Sequence, residues 1–411
     1  MSRPRLYAHV LLSAAALIAA CGGDPEQTTA PTPSTAAPDE ENAPPTAAPS
    51  TEVAPSTQAT TTGVSTTTAA PRRPTTAPPA KRRAAPPSTT APQPAPDAPV
   101  LSFTSTTAAG PVRLEVREVA RGLDTVWALA WDPSGRLWFT ERAGRLTRLG
   151  DPPRTIAGVA EAGEAGLMGL EIDKRGRVFL MYTGRDDNRV VRLEPDGSQA
   201  VLVQGIRKAS IHDGGRLRFG PDGSLYASTG DAAEPELAQR DDSLNGKVLV
   251  VDTDRGGSRV FSKGHRNVQG LCFSAAGRFL ATEHGPDRGD EVNVLSAGFN
   301  GGWPATTGTG IRNYTPTIAP AGCAVYEANL IPAWRGSMLF ASLKGRDLRR
   351  LTFGPDGSVA GEEVLLDGDF GRLRDVAVGP DGAVYLAVSN RDGRGSPQEG
   401  DDRILRITPA P

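Results

Sequence analysis

The chain has 411 residues, 38% of them hydrophobic, and its 45 Lys and Arg against 47 Asp and Glu leave a formal net charge of −2. That balance excludes the strongly basic footprint of a nucleic-acid binder. Once a low-complexity N-terminal stretch is set aside, the remainder is long enough for one large domain with a sizeable core.

The chain opens MSRPRLYAHVLLSAAALIAAC, in which Arg3 and Arg5 precede an apolar run over residues 10–20. That run is shorter than the roughly 20 residues a membrane span needs, so residues 1–20 are expected to be an export signal. Ile18, Ala19, Ala20 and Cys21 resemble the lipobox of bacterial lipoproteins. The resemblance implies cleavage before Cys21, lipidation of its thiol and anchoring to the outer face of the bacterial cell membrane. Residues 21–110 are mostly Pro, Thr, Ala and Ser. Such a composition buries too little apolar surface to fold, which predicts a disordered, semi-rigid linker.

Residues 111–411 are the predicted folded domain. Six short runs repeat one pattern: WDPSGRLWFTE, EIDKRGRVFLMYT, FGPDGSLYASTG, FSAAGRFLATEHG, PAWRGSMLFASLKG and VGPDGAVYLAVSN. Each sets a glycine at a tight turn (Gly135, Gly176, Gly223, Gly277, Gly336 and Gly382) and follows it with the apolar residues of a strand. A spacing of roughly 50 residues is that of propeller blades, and no long amphipathic helical pattern interrupts it. The predicted fold is all-β, a six-bladed β-propeller whose radial closure leaves only short sheet edges. VRLEVREVA (112–120) and DRILRITP (402–409) are expected to share the blade that shuts the ring. Cys272 and Cys323 both lie in apolar strand-like contexts, compatible with a disulfide or with two buried thiols.

The domain holds three histidines, His212 in HDGGR, His265 in GHRNVQG and His284 in EHGPDRGDE, and each adjoins or lies beside glycine. In a propeller, loops at the ends of the inner strands converge on one mouth of the central channel. Asp231, in STGDAAE, is the carboxylate expected to work with His212, while Gly214 and Gly215 are expected to let a flat ligand approach that imidazole. Around them stand Arg266, Lys344, Arg372 and Arg374. The last two are two apart and so are expected on one face of a strand, a two-armed cationic wall for a ligand with several carboxylates.

These motifs carry a resemblance. HDGGRLRFGPDGSLYASTGDA, GHRNVQGLCFSAAGRFLATEHGPDRGDEVNVLSAGFNGGWP, the LKG of 343–345 and GRLRDVAVGPDGAVY resemble the glucose/sorbosone dehydrogenase family of soluble quinoproteins, which use pyrroloquinoline quinone (PQQ) and calcium. The resemblance implies an enzyme that oxidises the anomeric hydroxyl of an aldose to a lactone and passes hydride to PQQ. It implies His212 as general base and Asp231 as the group that orients it. Arg266 and Asn267 would contact the quinone, and Lys344, Arg372 and Arg374 would hold the cofactor's carboxylates. The backbone carbonyls of Gly285 and Pro286 would help bind calcium. Glu164, in GEAGLMGL, occupies a cofactor-side position where some relatives carry Gln. Ile211 stands where glucose-oxidising relatives have an acidic residue, which points away from strict glucose specificity. The redox partner is an electron acceptor that these motifs do not encode. The competing functions are a non-catalytic, membrane-tethered binding module on the same fold and a calcium-dependent lactonase, whose metal cage of Glu, Asp and Asn side chains would differ from this cationic set.

Overall fold

The structure, a computed structural model, describes residues 100–411. The predicted export signal, Cys21 and the predicted linker up to residue 99 lie outside the described residues.

Gly135, Gly176, Gly223, Gly277, Gly336 and Gly382 all adopt φ between 78° and 81°. That left-handed conformation is the reason for glycine at each tight turn. Five of these turns are locked by short polar side chains one or three residues before the glycine: Asp132, Asp173, Asp222 and Asp381 accept backbone amides, as does the Ser274 hydroxyl. Each turn joins the first two strands of an antiparallel sheet. Five sheets have four strands and one has five.

The first strands of blades one to six are Val126–Trp131, Leu167–Ile172, Gly214–Phe219, Val268–Phe273, Pro320–Val325 and Leu373–Val378. Each packs on its neighbours around the ring, the sixth returning to the first. The six-bladed propeller is therefore present as expected. Ring closure comes from the N-terminus: Gly110–Ala120 pairs antiparallel with Ile404–Pro409, with Val116 opposite Ile407. The ordered fold begins before Pro111, because Leu101–Thr107 adds a fifth strand to the closing blade. Leu101 and Phe103 pack on the core there, and buried Ser105 accepts the indole N–H of Trp334 at 2.8 Å. Ser- and Thr-rich composition hid that strand inside the expected linker.

Every blade carries the same irregularity. At the end of the first strand away from the glycine turn, pairing with the second strand slips. The residues passed over include Trp127, Gln269 and Arg374 in blades one, four and six, and Gly169, Gly215 and Gly322 in blades two, three and five. Such bulges bend a strand and re-aim its side chains.

Cys272 and Cys323 form a disulfide between the first strands of blades four and five, which settles the open alternative in favour of pairing. The bridge spans 51 residues. Replacing both cysteines by Ala should lower unfolding stability by about 4 kcal/mol in the chain-entropy view. Urea denaturation checks this: oxidised wild type should be the more stable, and wild type under reductant should approach the variant.

Candidate active site

Loops that lead into the first strand and leave the second meet at the end of the ring opposite the glycine turns. His212 and Asp231 flank this hairpin in blade three. Nδ1 of His212 lies 2.9 Å from Oδ1 of Asp231, so Nε2 is the ring atom left for a ligand. Asp231 is fully buried. Its Oδ1 also accepts the Ala233 amide, and its Oδ2 accepts the indole N–H of Trp303 at 2.9 Å.

His212 has φ 61°, uncommon for a residue with a Cβ. Glu164 supports that conformation by accepting the His212 amide at 3.2 Å while its other oxygen pairs with Arg394 at 2.9 Å. Gly214 and Gly215 also have positive φ, and the strands packed around them give a reason of their own for glycine. A Cβ on Gly214 would lie 2.7 Å from the Thr229 and Gly230 backbone, and one on Gly215 would lie 2.7 Å from Met168 Sδ. Close packing of strands excludes side chains there.

The expected cations gather beside the base. Arg266 and Asn267 precede the first strand of blade four, where Arg266 lies 5.5 Å from the Trp303 ring centroid. Asn267 Oδ1 accepts from the Gly214 amide at 3.2 Å and from Gln269 at 3.0 Å, and Gln269 Oε1 in turn accepts from Arg374 at 2.9 Å. Arg372 precedes its strand and Arg374 lies in the bulge, so alternation along a strand is not what unites them. They converge on buried Asp392, Arg372 at 2.7 Å and Arg374 at 3.7 Å. Arg372 also donates to the Leu343 carbonyl at 3.3 Å, next to Lys344, whose ammonium donates to Thr317 at 3.1 Å.

Gly285 and Pro286 follow the second strand of blade four. Asp290 braces their turn, accepting the Gly285 amide at 2.8 Å with one oxygen and the Ile318 and Ala319 amides at 2.7 Å with the other. Of the three histidines, His265 is a core residue: it is wholly buried between Ser262 Oγ at 2.8 Å and Glu283 Oε2 at 2.9 Å. Glu283 also accepts the Arg266 amide, so this buried chain fixes the loop that carries Arg266.

Trp303, Gln269, Asp392, Arg142 and Arg394 were not singled out from sequence. Trp303 was within reach in FNGGWP, and Arg142, which donates to the Asp392 carbonyl at 3.0 Å, sits directly after a predicted strand. Asp392 and Arg394 belong to an irregular loop without periodicity.

Burial pulls the Arg374 guanidinium down to about 10, and burial likewise lowers Arg266. Burial works against the Asp392 carboxylate, yet Arg372 and Arg374 hold it below the usual range. Burial, and then the charges of Arg374 and Arg266, keep His284 well below its ordinary value, so its ring is neutral. Among the described residues, Arg374 Nε and His284 Nε2 are buried without a hydrogen-bond partner. Buried polar atoms are normally satisfied, so an orphaned donor within a set of buried cations fits an anionic, acceptor-rich ligand.

The family model described as "Glucose / Sorbosone dehydrogenase" matches residues 123–405. The chain is similar to the PQQ-bound aldose sugar dehydrogenase of Streptomyces coelicolor, at 35% identity and TM-score 0.65, covering 72% of this chain and 99% of that one. It is 29% identical to an aldose sugar dehydrogenase of Escherichia coli, over 76% of this chain and 97% of the relative. Quinoprotein glucose dehydrogenase B of Acinetobacter calcoaceticus is 23% identical, over 71% of this chain and 88% of the relative.

The bracing beneath Arg266 yields a pH test. Burial and the neighbouring Glu283 push Glu291, opposite it across a strand pair, up to about 7. The folded state therefore holds a proton that the unfolded chain loses near pH 4.5, and stability falls as pH rises between these values. Glu291→Gln should be more stable than wild type by up to about 3 kcal/mol above pH 7 and indistinguishable near pH 4. Melting temperatures at the two pH values check the sign.

Proposed function

The chain belongs to the glucose/sorbosone dehydrogenase family, and from that premise we propose that it is a PQQ-dependent aldose sugar dehydrogenase that oxidises the anomeric hydroxyl to a lactone. The observation that supports this best is a base already oriented by a buried carboxylate beside a set of buried cations. Bound PQQ would supply the quinone that accepts hydride from the sugar.

The chain's residues do the remaining work. His212 takes the hydroxyl proton at Nε2 as hydride leaves C1, a transfer that needs a base within hydrogen-bond reach. Asp231, held by Trp303 and Ala233, fixes the Nδ1–H tautomer and stabilises the imidazolium that forms. Arg372 and Arg374 bind cofactor carboxylates, with Asp392 keeping the two guanidiniums convergent. Lys344 adds a point charge from the next blade. Arg266 and Asn267 meet the quinone edge, where cations stabilise developing negative charge. Glu164 acts on the cofactor side through the bond it already makes to the His212 amide.

Calcium is proposed at the Gly285 and Pro286 carbonyls, oxygen donors suited to a hard cation, on a turn that Asp290 stiffens. Lipid attachment at Cys21 would place the enzyme on the outer face of the cell membrane, with its electron acceptor there.

Residues 100–411, reconstituted with PQQ and calcium, should reduce a redox dye on addition of aldoses, and leaving out either cofactor should abolish reduction. His212→Ala should bind PQQ with unchanged affinity while kcat falls by roughly a thousandfold. Wild-type turnover in that variant would refute the base, and failure of the wild-type chain to bind PQQ at all would favour the non-catalytic binding module.

A further inference from the structure

We infer that Trp303 is a positioning residue that holds the carboxylate behind the base with its indole N–H and the cofactor-side Arg266 with its ring face. It rests on the assignment of His212 as the base.

The two oxygens of Asp231 have separate tasks. Oδ1 meets His212 Nδ1 and the Ala233 amide, whereas Oδ2 receives the Trp303 N–H at 2.9 Å. With Oδ2 tied down, the carboxylate cannot rotate without breaking a charge-assisted hydrogen bond in a fully buried position. Across the same indole, Arg266 lies 5.5 Å from the ring centroid, and its hydrogen bond to the His284 carbonyl is long, at 3.4 Å. A cation over an indole face is attracted most strongly where water is excluded. One side chain therefore touches both the proton-accepting half of the site and the cofactor half.

Trp303 is itself anchored by its backbone. Its amide donates to the Gly264 carbonyl at 3.0 Å, and its carbonyl accepts from Gln239 at 2.7 Å. Gln239 and Asn300 exchange further bonds of 3.0 and 2.9 Å, so a loop from blade three grips a loop from blade four around this residue. The indole is thereby fixed from outside the site, as a positioning group must be.

The test separates the two contacts. Trp303→Phe keeps an aromatic face and removes the N–H, so kcat should fall about tenfold while KM and the calorimetric Kd for PQQ stay within about twofold. Trp303→Ala should, in addition, raise the Kd for PQQ about tenfold. If the residue acts through the carboxylate, Trp303→Phe added to Asp231→Asn should lower kcat by no more than about twofold beyond Asp231→Asn alone. Wild-type kcat in Trp303→Phe, equal losses of PQQ affinity in the Phe and Ala variants, or full additivity with Asp231→Asn would each overturn the inference. His212→Ala separates the two levels: full turnover there removes the base on which the inference rests, whereas an inactive His212→Ala beside an unaffected Trp303→Phe defeats this inference alone.

Discussion

Six strands that converge on one axis cannot all carry large side chains to it, and the way this chain distributes bulk around the axis governs the rest of the molecule. Each first strand is bulged at the end that meets the site. Blades one, four and six place Trp127, Gln269 and Arg374 in their bulges, and blades two, three and five pass over a glycine together with Met168, Arg216 and Ala321. A Cβ on Gly169 would lie 2.4 Å from the Gly215 carbonyl, and one on Gly322 would lie 1.7 Å from Asp375 Oδ1. These glycines let neighbouring first strands approach closely and leave room for the Arg216–Asp375 pair.

What fills the centre is polar as well as large. Arg216 pairs with Asp375 at 3.0 Å and lies 4.4 Å from the Trp127 centroid, while Arg374 approaches the same ring at 5.8 Å. Two guanidiniums on one indole, joined through Gln269 and Asp392 to the cations above, make the channel floor and the cationic wall a single electrostatic unit. In a dry interior such charges act at long range. A cofactor with several carboxylates is matched to a site of this kind because it supplies anions where burial has made cations expensive.

Much of this was legible in the sequence, for reasons that can be named. Turn chemistry is local, so Gly135 and its five counterparts announced the blades, and the alternation in VRLEVREVA announced the closing strand. Histidine and aspartate beside special backbone positions pointed to His212 and Asp231. The bulges were not legible, because pairing register depends on two strands at once, and the same-face argument for Arg372 and Arg374 failed on that account. Gly214 and Gly215 were noticed for a ligand, whereas their packing against Thr229, Gly230 and Met168 was not foreseen. Asp392 and Trp303 act from irregular loops, through contacts distant enough in sequence that no local pattern encodes them. Leu101–Thr107 escaped because its serines and threonines read as linker while Leu101 and Phe103 supplied the apolar face.

The closing blade has a consequence for the order in which the molecule can be made. Gly110–Ala120 finds its inner partner only in Ile404–Pro409, far along the sequence, so Val116 waits for Ile407 until that strand has been made. Until then the strand offers the hairpin partner Leu101–Thr107 on one edge and an open ladder on the other. Contacts so distant in sequence form slowly, and an unpaired edge invites the wrong partner. Successful assembly therefore depends on keeping the emerging chain apart from its own copies until Ile404–Pro409 arrives, a kinetic demand that follows from where the circle is joined.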